Sequence, residues 1–279
     1  MRKMLYLILA MMIIGSISNA TPLLWRGPQT IGKGKPIFMA EFTYCTIARS
    51  YNWTDEEWTD IPDQNQTEVI GAHFMLGYAP IHKLELLAHI PVMMKTRDTL
   101  DALGIQDVWF KTRYNFVGSK TQPWLTGVLG ARFPTANEND NPPLDDRTLD
   151  FMGGLLFQYN MNPLVFHVKG GYFYNGKTDA DLDLGDEIEG NFKVDYIFNK
   201  QITAFIAFTY IHTLQSSDST GTSITNSEKQ NLTVCPGIVY KTDFGLSIRP
   251  KFLYPLEMVN KGGTSFAWKI GLDFWFVPK

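Results

Sequence analysis

The chain has 279 residues, of which 14% are aromatic and only 19% are charged, and its formal net charge is −3. A slight acidic excess excludes a strongly basic nucleic-acid-binding surface, so no nucleic-acid partner is expected. Beyond the first twenty residues, no stretch reaches the roughly 20 apolar residues that a membrane-spanning helix needs.

The amino-terminal residues have the pattern of a secretory signal peptide. Arg2 and Lys3 precede an apolar run over residues 4–15, and residues 16–20 end on small side chains. This order predicts a signal peptide at residues 1–20, cleaved after Ala20, and export to the periplasm by a Sec-type route. The alternative is an uncleaved anchor, but so short an apolar run does not comfortably cross a hydrocarbon core of about 30 Å.

Most of the remaining chain alternates apolar residues with polar or small ones. In residues 187–198, Ile188 and Phe192 fall on one parity, whereas Glu189 and Lys193 fall on the other. A period of two is that of a β-strand with one apolar face. Twelve segments with this pattern are predicted as strands: 36–50, 67–79, 82–94, 105–117, 122–133, 148–160, 163–175, 186–198, 201–213, 228–240, 243–254 and 264–277.

The lengths of these segments and of their connections indicate a transmembrane barrel. Strands of soluble proteins usually have about five or six residues, whereas a tilted strand crosses a bilayer in about 9–11. Connections alternate between short turns, as near Pro80 and Lys200, and longer loops at 51–66, 95–104, 134–147, 176–185, 214–227 and 255–263. Short periplasmic turns, long extracellular loops and an even strand number are typical of outer-membrane barrels.

We therefore expect an all-β protein, an up-and-down antiparallel barrel of about twelve strands over residues 34–279, in the outer membrane of a Gram-negative bacterium. Residues 21–33 would precede it as a periplasmic segment. The alternative is a soluble secreted barrel or sandwich. Aromatic residues at the ends of the apolar rows favour the membrane, where Tyr, Phe and Trp are enriched at both interfaces. Outer-membrane lipid and lipopolysaccharide would then be its surroundings.

The last predicted strand gives a second indication of a barrel. Lys269, Gly271, Phe274 and Phe276 resemble the polar-x-Gly-x-x-aromatic-x-aromatic assembly signal by which the barrel assembly machinery recognises a final strand. The tail at residues 277–279 departs from that signal, since many such proteins end on the aromatic residue itself. The barrel assembly machinery is therefore an expected partner during biogenesis.

The parity opposite to the apolar rows is expected to face the barrel lumen, and it carries charges of both signs. These charges could pair with one another across a narrow lumen, or they could line a hydrated conduit of mixed polarity. Inward aromatic residues could contact a small, poorly soluble organic molecule, or they could simply fill space. The candidate ligand-binding residues in the lumen are Trp109, Lys111, Arg113, Arg132, Phe173, Glu189, Lys193, Arg249, Lys251 and Trp275.

The sequence offers little support for an outer-membrane enzyme, since one omptin-like pair, His212 with Asp218 in a Ser/Thr-rich loop, is expected by chance. Outer-membrane phospholipases use a His-x-Ser pair on a strand, but none of the five histidines is followed two places later by serine. No catalytic residue is therefore predicted. Cys45 and Cys235 are the only cysteines, and the sequence does not decide whether they form a disulfide.

Acidic residues cluster in several predicted loops, among them Asp145 and Asp146. Carboxylates spaced in this way can hold Ca²⁺ or bridge divalent ions to lipopolysaccharide. The clusters lack the glycine and glutamate positions of an EF-hand loop, so solvated loops are the favoured interpretation. No metal and no cofactor are predicted.

Four short motifs carry a family resemblance, at residues 77–91, 104–107, 130–135 and 170–172. Through them the chain resembles the predicted outer-membrane transporter family of the meta-pathway of phenol degradation. Two departures are Gln106, where the family usually has glycine, and Ala136, which follows Pro-Thr where the family has glycine. The resemblance implies a transport barrel with aromatic compounds as a suggested substrate class, and it assigns no catalytic residue.

The function expected from the sequence is passive passage of small-molecule solutes, with aromatic or other poorly soluble organic compounds as candidates. A first alternative is a closed structural barrel that acts through its extracellular loops. A second alternative is an outer-membrane enzyme, which the missing motifs disfavour.

Overall fold

The computed structural model describes residues 27–118, 123–178 and 180–278. The predicted signal peptide at residues 1–20 lies outside these ranges. Within them, no helix has the length and apolarity needed to span a membrane.

Fourteen antiparallel strands are present in the described part of the chain. In chain order they are β1 (Pro36–Asn52), β2 (Glu57–Asp60), β3 (Thr67–Ile81), β4 (Leu84–Arg97), β5 (Leu100–Ile105), β6 (Val108–Val117), β7 (Trp124–Phe133), β8 (Asp150–Met161), β9 (Leu164–Tyr174), β10 (Glu187–Ile197), β11 (Ile202–Thr213), β12 (Lys229–Lys241), β13 (Leu246–Pro255) and β14 (Thr264–Phe276). A short 3-10 helix spans Asp63–Asn65.

Twelve of these strands form a closed barrel, because the last strand returns to the first. Each long strand pairs with the next along the chain, and β14 pairs with β1 in a register that sets Phe276 beside Phe38 and Thr264 beside Ser50. Closure leaves no free edge in the ring, which satisfies the backbone groups that a lipid environment cannot hydrate. The predicted twelve-stranded, up-and-down barrel is confirmed.

The two short strands lie outside the ring and were not predicted. β2 pairs antiparallel with the end of β1. β5 pairs with the second half of β4, from Arg97 beside Leu100 to Val92 beside Ile105. The prediction of a loop over 95–104 is therefore wrong, since most of this segment is a hairpin. Its turn includes Asp98, whose φ of 55° is tolerated by aspartate better than by most residues.

The barrel is apolar outside and polar inside. Leu129, Leu155 and Phe110 face outward, with 69%, 56% and 54% of their side chains exposed. By contrast, Glu85 and Asp273 are fully buried inside. A belt of exposed apolar side chains around a polar interior is the pattern of a barrel whose outer wall contacts lipid.

The two ends of the barrel differ. One end, here the short-turn end, carries brief connections such as residues 82–83 between β3 and β4, and 162–163 between β8 and β9. The opposite, long-loop end carries the connections at 134–149, 175–186 and 214–228. In outer-membrane barrels the short turns face the periplasm and the long loops face the exterior.

Residues 27–33, the described part of the predicted periplasmic segment, enter the barrel at the short-turn end. The Thr126 hydroxyl donates a hydrogen bond of 2.6 Å to the Pro28 carbonyl, and Arg113 donates to the Gly27 carbonyl. The Ile31 amide donates to Glu85, and the Ile31 side chain is 5% exposed within an apolar cluster. The segment thus occupies space within this end of the lumen.

Candidate functional site

A cavity of about 660 Å³ lies in the long-loop half of the barrel. Its deeper wall includes His73, His89, Trp109 and Phe173, which belong to four different strands. Cavities of this size accept small organic ligands, especially where aromatic surface meets a few polar groups.

Two aromatic residues form an apolar patch in this wall. The rings of Trp109 on β6 and Phe173 on β9 meet edge to face, with centroids 6.2 Å apart and planes at 87°. Glycines stand beside them at inward positions, where Gly154 on β8 pairs with Gly171 on β9. A Cβ on Gly154 would lie 2.8 Å from the Gly170 carbonyl oxygen, so this wall admits no side chain there.

Two cations flank the indole ring of Trp109. The Lys111 ammonium lies 4.8 Å from the ring centroid, and the Arg132 guanidinium carbon lies 5.6 Å from it. Lys111 is only 3% exposed, and its Nζ has no hydrogen-bond partner among the described residues. A buried ammonium with unused donors is a ready partner for an anionic or strongly polar group.

Arg132 also organises a carboxylate cluster at the long-loop end. Its guanidinium lies 2.9 Å from Asp146, 3.3 Å from Asp145 and in contact with Asp150. Asp107 accepts hydrogen bonds from the amides of residues 135 and 136 at 2.9 and 3.0 Å. Burial raises the pKa of the Asp145 carboxyl, an effect that the positive charge of Arg132 opposes.

The β7–β8 loop (residues 134–149) is fixed against the barrel wall beside this cluster. Lys95 donates to the carbonyls of Pro143 and Leu144 at 2.7 and 3.0 Å, and Gln106 donates to the Leu144 carbonyl at 2.7 Å. The Leu144 side chain is 1% exposed and packs in an apolar cluster with Cys45. The loop is therefore a fixed part of the cavity rim.

The deeper lumen is dominated by ion pairs between neighbouring strands of the wall. Lys251 lies 3.1 Å from Asp273 and also pairs with Glu41. Arg113 pairs with Glu85 at 2.9 Å. These groups pair with neighbours along the barrel wall, so pairing across the lumen stays a prediction.

The sequence-predicted lumen residues thus divide into separate groups. Trp109, Arg132 and Phe173 line the cavity with Lys111 directly beside them, whereas Lys193, Arg249 and Lys251 belong to the ion-paired lumen and Arg113 contacts the inserted segment. Glu189 is 4% exposed inside the barrel. Trp275 packs against the apolar cluster of Ile31, away from the cavity. Ligand binding by these residues stays a prediction.

The predicted assembly signal lies on β14. Lys269 and Gly271 face the interior, and Phe274 and Phe276 fall on the opposite parity. Recognition of these residues by the assembly machinery stays a prediction.

Two features of the site were not predicted from the sequence. Asp107 joins Asp145 and Asp146 only because residues 106–107 interrupt the strand pattern between β5 and β6 and because the β7–β8 loop folds over them. The stacked pair of His73 and His89, with Nδ1 and Nε2 3.2 Å apart, depends on the register of β3 and β4. Cys45 and Cys235 are both buried and free of any disulfide.

Comparisons with known proteins agree with this architecture. A family model described as the putative MetA-pathway of phenol degradation matches residues 48–270. No curated protein sequence matches the chain.

Solved structures with a similar fold are outer-membrane barrels. The COG4313 outer membrane channel from Pseudomonas putida F1 has a TM-score of 0.75 at 12% identity, over 89% of this chain and 97% of the other. The NanC porin has a TM-score of 0.52 at 10% identity, over 86% and 99% of the two chains. The β domain of the Bordetella autotransporter BrkA has a TM-score of 0.50 at 11% identity, over 88% and 99%. At such identities the likeness establishes the fold.

Proposed function

The chain belongs to the family described as the putative MetA-pathway of phenol degradation, and we propose that it is an outer-membrane channel for small aromatic or other poorly soluble organic molecules. Its lipid-facing apolar belt and closed ring support residence in the outer membrane. Export to that membrane would depend on the signal peptide proposed at residues 1–20.

The observation that carries this proposal is the aromatic patch of Trp109 and Phe173 in the wall of the cavity. Trp109 and Phe173 are only 6% and 4% exposed and pack in an apolar cluster with Val128, Met152 and Leu156, yet both border the open space of the cavity. An aromatic solute can stack against such rings. The family description, which refers to phenol degradation, agrees with that class of solute.

Lys111 adds a preference among aromatic solutes. Its ammonium lies beside the Trp109 ring, whereas Arg132 is engaged by carboxylates, so a ring bearing a phenolate or carboxylate would meet aromatic surface and the charge of Lys111 together. A neutral sugar of similar size would neither stack fully against the Trp109 ring nor form an ion pair beside it. We therefore expect an aromatic carboxylate such as benzoate to bind better than glucose.

A closed barrel that acts through its extracellular loops is the second candidate, and one observation favours it. Residues 27–33 occupy the short-turn end, where they are held by Thr126, Arg113 and Glu85. A segment fixed in this position would narrow or block the path to the periplasm. The two candidates differ in whether ions cross the purified protein.

Single-channel recording in a planar bilayer tests the proposal. Mature protein should give discrete conductance steps, and benzoate should block them at lower concentration than glucose does. Trp109→Ala should weaken the benzoate block by about two- to tenfold, since an aromatic pair is worth about 0.5–1.5 kcal/mol. Phe110→Ala is the matched control, because Phe110 is the next residue on β6 but points outward.

The outcomes separate the two candidates. Steps whose benzoate block weakens in the Trp109 variant and not in the Phe110 variant support an aromatic channel. Silence from correctly folded protein that contains residues 27–33 would favour the closed barrel.

A further inference from the structure

Four carboxylates surround one guanidinium at the long-loop end of the barrel. Asp145, Asp146 and Asp150 contact Arg132, and the charge of Asp107 also acts on it. Four carboxyl groups thus lie around a single guanidinium. The side chains of Arg132, Asp145 and Asp150 are 7%, 6% and 0% exposed and that of Asp146 is 17% exposed, so most of the cluster is shielded from bulk water.

Lys95 is the cation next to this cluster, and its hydrogen bonds go to the loop backbone. The Lys95 ammonium donates to the carbonyls of Pro143 and Leu144, at 2.7 and 3.0 Å. It therefore holds the loop backbone in place, and its charge acts on Asp145 and Asp146 only from a distance.

Asp107 has a buried carboxylate oxygen without a hydrogen-bond donor among the described residues. Its Oδ1 accepts hydrogen bonds from the backbone amides of residues 135 and 136. Its Oδ2 has no hydrogen-bond partner among the described residues, although the whole side chain is 0% exposed. A buried carboxylate oxygen without a donor is costly unless something positive reaches it.

The spacing of the oxygens fits one ion. One carboxylate oxygen from each of Asp107, Asp145 and Asp146 lies within 4.8 Å of the other two. Ca²⁺ binds oxygen ligands at about 2.3–2.6 Å, so two ligands on opposite sides of the ion stand about 4.6–5.2 Å apart. We propose that Asp107, Asp145 and Asp146 bind a divalent cation of the calcium type, which joins the β7–β8 loop to the start of β6.

The ion would complete the charge balance that Arg132 begins. Arg132 keeps its contacts with Asp150 and Asp146, while the ion takes the free oxygen of Asp107 and oxygens of the other two carboxylates. The result is a cross-link between a loop at the cavity rim and the barrel wall. This proposal does not depend on whether any solute crosses the barrel.

Terbium luminescence tests the site directly. Mature protein, refolded in neutral detergent without lipopolysaccharide, is titrated with Tb³⁺ during tryptophan excitation and then with CaCl₂ as competitor. Trp109 lies 5.6 Å from the Arg132 guanidinium carbon and so is close enough to sensitise a bound Tb³⁺. We expect saturable emission with one ion per chain that Ca²⁺ displaces.

The matched variants are Asp107→Asn and Asp218→Asn. In both residues Oδ1 accepts backbone amide hydrogen bonds that asparagine can keep, and both border the cavity, but Asp218 lies outside the cluster. Asp107→Asn should weaken binding by about tenfold or more, since even outer partners of metal ligands have effects of that size. Asp218→Asn should leave it unchanged.

Folding is checked by heat-modifiable migration on gels, and Asp145→Asn serves as the second variant should Asp107→Asn fail to fold. Equal Ca²⁺ affinity in the wild type and the folded cluster variant would overturn the proposal. So would emission that CaCl₂ cannot displace, or wild-type protein that shows no saturable binding.

Discussion

The side chain of Lys251 lies across Gly271, where a Cβ on the glycine would stand only 2.6 Å from the lysine Cε. This close passage lets the ammonium reach Glu41 and Asp273 on neighbouring strands. Gly271 is therefore a packing residue of the lumen as well as a member of the predicted assembly signal.

Gly271→Ala should destabilise the folded barrel. The added methyl group displaces Lys251 and weakens its ion pairs, and overpacking of this kind typically costs about 1–3 kcal/mol. Urea unfolding in lipid vesicles, followed by tryptophan fluorescence, measures the loss. Gly190→Ala is the control, because nothing lies within 4 Å of its Cβ position. Equal stability of the two variants would contradict the packing role.

Arg132→Gln should destabilise the protein far more than Arg147→Gln. Removing one partner of a buried ion pair costs about 3–5 kcal/mol, because the other charges stay buried without compensation. Arg147 pairs with Glu138 at 3.2 Å, but Glu138 is 67% exposed, and such surface pairs contribute about 0–1 kcal/mol. Free energies of unfolding measured in EDTA compare the two. A smaller loss for Arg132→Gln would show that its contacts contribute little.

Deleting residues 27–33 should raise single-channel conductance. The segment occupies the short-turn end through contacts with Thr126, Glu85 and Arg113, so its removal opens space for ions at that end. Conductance of the deletion variant and of the full mature chain is recorded under the same salt. Unchanged conductance would mean that current flows past the segment, or that the constriction lies elsewhere.

Lys111→Met should reduce any preference of the channel for anions. The substitution keeps the length and apolar character of the side chain but removes a buried positive charge beside the cavity. Reversal potentials in a salt gradient should move toward cation permeation, with the permeability ratio changing on the order of twofold. Lys200→Met, at an exposed turn, is the control. A reversal potential that moves in neither variant would remove Lys111 from the ion path.

The barrel could be predicted because the alternation of apolar and polar residues is visible within each strand segment by itself. Alternation in segments such as residues 187–198 sets which side chains face lipid, and closure follows when every strand has one apolar face. The hairpin of β4 and β5 was missed because Leu100–Ile105 is short and has apolar residues on both parities. A loop and a short strand look alike in such a stretch.

The site was predictable only in part, because much of it joins residues distant in the chain. Inward parity alone identified Trp109, Arg132 and Phe173 as lumen residues. Their meeting with Asp107 and Asp145 depends on loop folding that no periodicity describes. The same holds for Pro28 and Thr126, which are 98 positions apart and form a hydrogen bond.

The insertion of residues 27–33 also limits the order in which the molecule can be built. This segment precedes β1, yet the wall that encloses it is completed only when β14, the last strand of the ring in chain order, pairs with β1. The segment must therefore already lie within the curved, unsealed sheet when the seam closes, or must thread into the finished ring afterwards. In the first case its contacts with β4, β6 and β7 would guide the growing sheet, so that this segment acts as an internal template for the barrel that encloses it.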